Sequence, residues 1–279
     1  MTDAPQITIV LLSCNRSEFL RQALRGVLQQ SFGDWKLLAS DCSDNPQTRA
    51  EVAQIMQEHA CGDVFHQTII VQQPGKVSHA EHLRRVLSSV TTPFVALLDD
   101  DDIWLPQHLE RAWKWLRDQP LHGLAISRYY SMDKDGRVAM DCSSQSAHQP
   151  PDPTDRRAWL GLELRSFYGA KSGFVFRREA ISNHRFFNTP AVDNHLAVSI
   201  LLNGYIVIGF PEPTFLYRMH DRSSYQKGEQ LLLDRHELRL WLFWHQGWRI
   251  TGQYPLFPLL VIKSALGYLR FRFCRRWFR

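Results

Sequence analysis

The chain of 279 residues has 44 % hydrophobic and 22 % charged residues, which is the composition of a globular protein with a sizeable core. Its five cysteines form no CxxC pair, which argues against a structural zinc site and a disulfide framework and favours a reducing cytosol. The net charge of +5 is concentrated in residues 263–279, which hold one Lys, five Arg and no acid, so we expect no nucleic-acid-binding groove along the body of the chain.

The first half of the chain alternates strand-like and helix-like segments. Apolar runs predict buried strands at residues 7–12, 35–40, 68–71 and 94–98. Helical spacing of apolar residues, capping residues or a first-turn proline predict a helix after each of these strands. Strands that alternate with helices imply an α/β protein with a mostly parallel sheet, whose ligands bind beyond the carboxyl ends of the strands.

The second half of the chain is less regular. A hairpin is predicted to turn at Asp135-Gly136, residues 142–155 have the composition of a loop, and strands are expected at 172–176 and 205–210. Helical patterns follow and place a domain boundary near residue 227, between an α/β domain (1–227) and a helical C-terminal region (228–279). No apolar run reaches the roughly 20 residues that span a bilayer, and the polar start MTDAPQ leads us to expect no secretory signal peptide.

The stretch ALLDDDDIWLP places four carboxylates, Asp99–Asp102, directly after a predicted strand, and Asp41 follows another. Because parallel strands end at one edge of a sheet, we expect these acids to lie close together. Carboxylates are hard oxygen ligands that suit Mg²⁺ or Mn²⁺. Alternate residues of an extended segment point to the same side, so Asp99 and Asp101 are candidate metal ligands. The alternative is a solvated acidic turn that caps the next helix.

Two segments together indicate a family. ITIVLLSCNRSEFLRQALRGVLQQSFGDWKLLASDCSDNPQT contains, in order, a strand, an NR turn, a long helix, a second strand and an acidic loop. TTPFVALLDDDDIWLP contains a strand followed by a DXD-like segment that ends in proline. The order and spacing resemble the family 2 glycosyltransferases, which have the GT-A fold, a mixed and mostly parallel sheet flanked by helices. The resemblance implies a nucleotide-sugar donor, a divalent ion and transfer with inversion at the anomeric carbon.

The resemblance also implies roles for individual residues in the first half. Asp99 and Asp101 fall on the two acids of the DXD motif and are the implied metal ligands, while Asp102 is expected to serve the following helix. Contacts with the nucleotide or the donor sugar are implied for Ser13, Asn15, Arg16, Asp41 and Asp100. Cys42 stands where many members carry a second acid, so the choice among UDP-, dTDP- and GDP-sugars stays open.

A second set of candidates lies after residue 165. In TPAVDNHLAVSILLNGY, Asp193 matches the family's catalytic acid, which removes the proton of the acceptor hydroxyl as its oxygen attacks. The residues alone also allow Asp193 to be a helix N-cap. The segment YGAKSGFVFRR is similar to the part of the family that shapes the donor and acceptor pocket. Lys171 and Ser172 are candidates there, and Gly173 would allow close approach of the backbone.

The segment FLYRMHDRSS is similar to a loop that follows a strand in the family. In that loop Arg218 or Arg222 is expected to neutralise the diphosphate, and His220 is expected to complete the metal site through a ring nitrogen. A surface loop with ordinary charges is the alternative. Four further histidines show no metal-ligand spacing and are expected to be ordinary surface or core residues, namely His82, His184, His195 and His236.

The C-terminal segment PLLVIKSALGYLRFRFCRRWFR predicts a basic amphipathic helix. One stripe of that helix is apolar and consists of Leu259, Ile262, Leu266, Leu269, Phe273 and Trp277. Such a helix favours peripheral contact with an anionic membrane surface. The alternative is that the stripe packs on the catalytic domain or on another subunit.

These inferences predict a metal-dependent inverting glycosyltransferase at the inner face of the plasma membrane. Its acceptor would be a glycan or a lipid-linked sugar in bacterial surface polysaccharide synthesis. A nucleotidyltransferase would also use paired acids and a metal, but it needs a Gly-rich basic loop after the first strand, and LLSCNRSEF is not such a loop. A non-catalytic nucleotide-sugar-binding or scaffold protein is the remaining alternative.

Overall fold

A computed structural model describes residues 5–59, 69–72, 77–139, 149–166, 168–182, 191–220 and 228–277, and these residues form nine strands and eight helices. The strands are β1 (Ile7–Ser13), β2 (Trp35–Asp41), β3 (Ile69–Gln72), β4 (Phe94–Asp99), β5 (Ile103–Trp104), β6 (His122–Asp133), β7 (Val138–Ala139), β8 (Phe174–Arg177) and β9 (Ile206–Met219). The helices are α1 (Ser17–Leu28), α2 (Pro46–His59), α3 (His79–Leu87), α4 (His108–Leu116), α5 (Arg156–Arg165), α6 (Val192–Leu202), α7 (Gly228–Gln253) and α8 (Phe257–Trp277).

The nine strands form one mixed sheet in the order β3-β2-β1-β4-β8-β6-β9-β5, with β7 paired to β6. The first four strands of the chain pair in parallel, which confirms the parallel sheet that the alternating pattern predicted. Ser13 lies opposite Asp41, and Leu12 lies opposite Asp99. The carboxyl ends of β1, β2 and β4 therefore meet at one edge of the sheet.

Helices cover both faces of the sheet, and each face has its own hydrophobic core. One core lies between the sheet and α1, α2 and α4, with Leu20, Val52 and Leu109 as examples of the helical contribution. The other core receives side chains from α3, α5, α6, α7 and α8. β1 is buried along its whole length because it lies between these two layers, which explains its uninterrupted apolar sequence.

The predicted hairpin is confirmed, since β6 and β7 pair with Met132 opposite Val138 and the turn contains Gly136 at φ +88°. The loop predicted for FLYRMH is wrong. β9 continues through this segment to Met219, because the long β6 offers it a partner from Tyr129 to Asp133 beyond a register shift. The sequence pattern did not predict this part of the strand because two prolines, at 211 and 213, interrupt the run of apolar residues.

The two C-terminal helices, α7 and α8, pack against each other and contribute Leu238, Leu242, Phe257 and Val261 to the core that they share with α5 and α6. The expected boundary near residue 227 lies outside the described residues. On the outer side of α8, the described part of the predicted apolar stripe is exposed, namely Leu259, Ile262, Leu266 and Leu269. The side chains of residues 270–279, including the rest of the stripe, lie outside the described residues.

Candidate active site

A cleft of about 680 Å³ opens at the edge of the sheet where β1, β2 and β4 end. Its walls come from the loops after β1 and β2, from the start of α3 and from the end of β4. Four predicted site residues line it, namely Ser13, Asn15, Arg16 and Asp99. The other lining residues were not assigned to a site from the sequence and are Leu12, Cys14, Cys42, Asp44, Asn45, Thr48, Val77, His79 and His82.

The loop between β1 and α1 is held in place by the loop after β2. Asn15 adopts a left-handed backbone conformation (φ +58°), which asparagine tolerates better than most residues. Its backbone N–H donates to Ser43 Oγ (2.7 Å), and its Nδ2 donates to Asp44 Oδ1 (2.7 Å). This turn directs the next residue, Arg16, onto the acidic cluster, where it pairs with Asp100 (2.7 Å) and with the carboxylate of Asp101.

The acids after β4 converge on one point. Carboxylate oxygens of Asp99, Asp101 and Asp102 lie within 4.8 Å of one another, close enough to bind one ion together. His220 Nε2 lies 2.9 Å from Asp101 Oδ2, so the predicted histidine contacts this group through Asp101. Three carboxylates match the hard oxygen donors that Mg²⁺ and Mn²⁺ prefer, so the residues present fit such an ion.

The cluster is stabilised by two cations of the protein itself. The buried Lys171 ammonium pairs with Asp99 and holds the pKa of that carboxyl below its ordinary value, although burial alone would raise it. Burial, together with the neighbouring acids, raises the pKa of Asp100 even though Arg16 pairs with it. Four adjacent acids are therefore compatible with folding because some are paired with cations and others bind protons readily.

The role expected for Asp102 is wrong. Its side chain is 1 % exposed and accepts a hydrogen bond from the backbone N–H of Arg218 (3.0 Å). α4 begins six residues later, at His108, and the side chain that caps its first turn is Gln30, whose Oε1 accepts a hydrogen bond from the backbone N–H of Leu109 (3.0 Å). Asp102 instead faces the same point as Asp99 and Asp101, because the short turn after β4 departs from the extended geometry on which the alternation argument depended.

Arg218 is buried beneath the acidic loop. Its guanidinium donates to the carbonyl oxygens of Asp101 (2.9 Å) and Asp133 (3.3 Å) and to Gln22 Oε1 (2.6 Å), and it lies over the ring of Phe19. These protein partners take up donors that a diphosphate would need. The placement of Arg218 favours a role in holding the acidic loop and weighs against its predicted contact with a diphosphate. The other arginine predicted for that contact, Arg222, lies outside the described residues.

Asp193 lies beside the acidic cluster, and Lys171 connects the two. Asp193 Oδ2 accepts a hydrogen bond from the backbone N–H of Lys171 (2.9 Å), whose ammonium pairs with Asp99. Ser172 Oγ accepts a hydrogen bond from the backbone N–H of Asp99 (3.1 Å), which ties the same segment to β4. The N-cap of α6 is Ala191, so Asp193 is not the capping residue that the alternative reading supposed.

The environment of Asp193 suits a group that exchanges protons near neutral pH. Burial raises the pKa of Asp193 to about 6, the charge of Asp99 acts in the same direction, and the Lys171 ammonium opposes both. A carboxylate with such a pKa is ionised at neutral pH but binds a proton more readily than an exposed aspartate.

Asp41 lies beneath the cleft rather than in its wall. It is fully buried, and its Oδ1 accepts hydrogen bonds from the backbone N–H (3.1 Å) and the Oγ (2.6 Å) of Ser43. His82 was expected to be an ordinary surface or core histidine, and it is buried, with its ring bonded to Ser40 Oγ (2.8 Å), but it also lines the cleft. No spacing in the sequence marks His82, because only the packing of α3 against β1 and β2 brings it to the cleft.

Comparison with known proteins places these features in a family. Residues 8–185 match the model for glycosyl transferase family 2. An uncharacterized glycosyltransferase of Methanocaldococcus jannaschii is 23 % identical over 137 residues, which are 49 % of this chain and 46 % of that relative. An uncharacterized protein of Mycobacterium bovis is 25 % identical over 217 residues, 77 % of this chain and 59 % of the relative. The chain thus spans about half of each of these curated relatives.

Solved structures share the fold. TarS of S. aureus (residues 1–349, in complex with UDP-GlcNAc) superposes with a TM-score of 0.62 at 13 % identity, over 85 % of this chain and 65 % of that chain. The mannosyltransferase PcManGT from Pyrobaculum calidifontis, in complex with GDP-Man and Mn²⁺, superposes with a TM-score of 0.64 at 17 % identity, over 94 % of this chain and 73 % of that chain. The predicted GT-A fold is confirmed. With more than half of its length matching the family model, the chain belongs to glycosyl transferase family 2.

Proposed function

We propose that this protein is a metal-dependent inverting glycosyltransferase that moves a sugar from a nucleotide-sugar donor to an acceptor hydroxyl. The observation that carries the proposal is the connection that Lys171 makes between the acidic cluster after β4 and Asp193. A carboxylate trio able to hold one ion borders the cleft, and Lys171 links it to Asp193, a carboxylate with a pKa of about 6. Neighbours crystallised with UDP-GlcNAc, or with GDP-Man and Mn²⁺, support a nucleotide sugar as donor.

Asp99, Asp101 and Asp102 would hold Mn²⁺ or Mg²⁺, with His220 orienting Asp101. Bound there, a divalent ion supplies positive charge that stabilises the departing diphosphate. Arg16 lines the cleft and adds a second positive charge on the same side. Its planar guanidinium is suited to the oxygens of a diphosphate.

Asp193 would act as the general base. In its ionised form it accepts the proton of the acceptor hydroxyl, the hydroxyl oxygen forms a bond to the anomeric carbon, and the bond from that carbon to the nucleoside diphosphate breaks. The hydrogen bond from the Lys171 N–H keeps one carboxylate oxygen in place, which leaves the other oxygen for the proton. A base of this kind contributes roughly 10²- to 10⁴-fold to the rate.

We also propose a peripheral contact with the inner face of the plasma membrane, suited to a lipid-linked acceptor in surface polysaccharide synthesis. Within the described ranges, no helix is both long enough and apolar enough to cross a bilayer. The outer side of α8 nevertheless exposes a leucine-rich stripe, and Trp244 and Trp248 of α7 are 81 % and 80 % exposed. Tryptophan side chains favour the interface between lipid and water.

A donor panel tests the catalytic proposal. UDP-, GDP- and dTDP-sugars are incubated with the full chain and Mn²⁺, and the release of nucleoside diphosphate is measured. We expect release with one nucleotide class, loss of release in excess EDTA, and loss of at least about 100-fold in Asp193→Asn with donor affinity retained. Asp118→Asn, an exposed aspartate after α4, is the matched control. Full activity in EDTA would refute the metal, and full activity of Asp193→Asn would leave a binding or scaffold role.

A further inference from the structure

A buried carboxyl lies behind Asp193. Glu163 of α5 is only 3 % exposed, and its Oε2 accepts a hydrogen bond from Asn194 Nδ2 (3.0 Å). Its Oε1 accepts a hydrogen bond from the backbone N–H of Tyr168 (3.2 Å). Burial raises the pKa of Glu163 to about 8, so its charged form is costly at this place. A costly polar group in a well-packed core points to a role beyond filling space.

The first connection runs from Glu163 to the start of α6. Asn194 directly follows Asp193, and its Nδ2 lies within hydrogen-bonding distance of the Glu163 carboxylate (3.0 Å), the Glu163 carbonyl oxygen (2.9 Å) and the Ser166 carbonyl oxygen (2.6 Å). One amide group thus anchors α6 to the end of α5. Because adjacent residues in a helical turn share a rigid backbone, anchoring Asn194 also fixes the position of Asp193.

The second connection runs from Glu163 to the partner of Asp193. Tyr168, which donates to Glu163, lies three residues before Lys171, and Lys171 donates its backbone N–H to Asp193 Oδ2. Glu163 therefore holds both sides of the hydrogen bond between Lys171 and Asp193. The charges that act on the pKa of Glu163 are those of Asp193, which raises it, and of Arg235 on α7, which lowers it.

We propose that Glu163 is a positioning residue that, together with Asn194, fixes the carboxylate of Asp193 against the backbone N–H of Lys171. The proposal rests on the proposed function only in that Asp193 is the base. A carboxylate displaced by about 1 Å from its reacting geometry loses on the order of 100-fold in rate. The predicted consequence is a loss of turnover with little change in donor binding.

Hydrogen exchange of the Lys171 backbone amide reports on its hydrogen bond to Asp193 and does not require enzymatic turnover. We expect its protection to fall about tenfold in Glu163→Ala and in Asn194→Ala, and to fall no further in the double variant, because both act through one connection. Glu163→Gln keeps one acceptor oxygen and should lose less, which keeps the test usable if Glu163→Ala folds poorly. Glu179→Ala, at an exposed glutamate that follows β8, is the control, and exchange in β1 reports on the intact fold.

Turnover provides the second measurement, as release of nucleoside diphosphate from UDP-GlcNAc or GDP-Man with Mn²⁺. We expect kcat to fall about 10- to 100-fold in Glu163→Ala and Asn194→Ala, with the donor KM within about twofold of the wild type. Wild-type protection of the Lys171 amide in both variants, or an equal loss of protection in β1, would overturn the proposal. If the wild type releases no nucleoside diphosphate from any sugar of the UDP-, GDP- and dTDP-donor panel, the proposed function fails, while the exchange measurement still decides the role of Glu163.

Discussion

Lys171 shows how much of this site depends on a single residue. Its ammonium pairs with an acid of the cluster, Asp99, while its backbone N–H donates to the proposed base, Asp193. The side chain is almost fully buried, and burial costs an ammonium a large part of its hydration. Asp99 offsets that cost, so the same pair that stabilises the fold also sets the distance between the proposed ion and the proposed base.

The pH dependence of turnover follows from Asp193. Burial raises its pKa to about 6, and the residue must be ionised to accept a proton. We therefore expect kcat to be constant above about pH 7 and to fall by about tenfold per pH unit below about pH 6. The measurement is a pH profile of product release, with donor affinity followed over the same range as the control. An acid limb near pH 4, the value of an exposed aspartate, would contradict the buried environment described for this carboxyl.

At the scale of elements, the site depends on the close packing of β6, β8 and β9 around the turn at Lys171–Gly173. The turn lies beside the end of β4, and its first two residues provide contacts to Asp99 and Asp193. Gly173 is the residue that lets this turn approach its neighbours. A Cβ atom there would lie 2.6 Å from the carbonyl oxygen of Ser127 and 2.7 Å from the ring of Phe215.

Gly173→Ala is accordingly expected to destabilise the protein by about 1–3 kcal/mol, because the backbone of β6 cannot yield to the added methyl group. Denaturant unfolding measures the change in the free energy of unfolding. Gly33→Ala is the matched control, since no atom lies within 4 Å of a Cβ added there. Equal stability of the two variants would show that the turn can move away from Ser127 and Phe215 without cost, and would contradict the prediction.

At the scale of the whole molecule, the C-terminal helix α8 packs one side in the core and exposes the other side to solvent. Phe257 and Val261 pack in the core, whereas Leu259 and Leu266 of the same helix are 63 % and 64 % exposed. The alternative that the stripe packs on the catalytic domain does not hold for its described part. Removing the tail would also remove core residues, so substitutions on the outer side test the membrane contact more cleanly.

The double substitution Leu259→Gln with Leu266→Gln should weaken binding to vesicles that contain an anionic lipid by at least about tenfold, since a buried leucine contributes roughly 1.5–3 kcal/mol. Vesicle sedimentation measures the change. Added salt should weaken wild-type binding as well, because the basic residues of 263–279 are screened. Leu121→Gln is the control, a leucine that is 59 % exposed elsewhere on the surface. Undiminished binding of the double variant would exclude the stripe from the contact.

The parts of the fold that depend on local pattern could be predicted from the sequence, and the parts that depend on packing could not. Apolar runs predicted the four parallel strands, and a sequence motif predicted the acidic cluster after β4. The pattern predicts only the first part of β9, because prolines interrupt its apolar residues, whereas pairing with β6 extends the strand. No sequence pattern indicated where the side chains of Asp102, Glu163 and His82 lie. Their positions depend on a turn, a buried hydrogen bond and the packing of a helix, respectively.

Lys171 and Arg16 occupy carboxylate oxygens that a divalent ion would also take. A bound ion would therefore compete with these two cations: Lys171 would lose its pair with Asp99, and Arg16 would lose its pair with Asp101 while it keeps Asp100. A diphosphate in the cleft provides new partners, above all for Arg16. Donor and ion are thus expected to bind cooperatively, each raising the affinity of the other by the same factor. Without donor, the protein should hold its metal weakly.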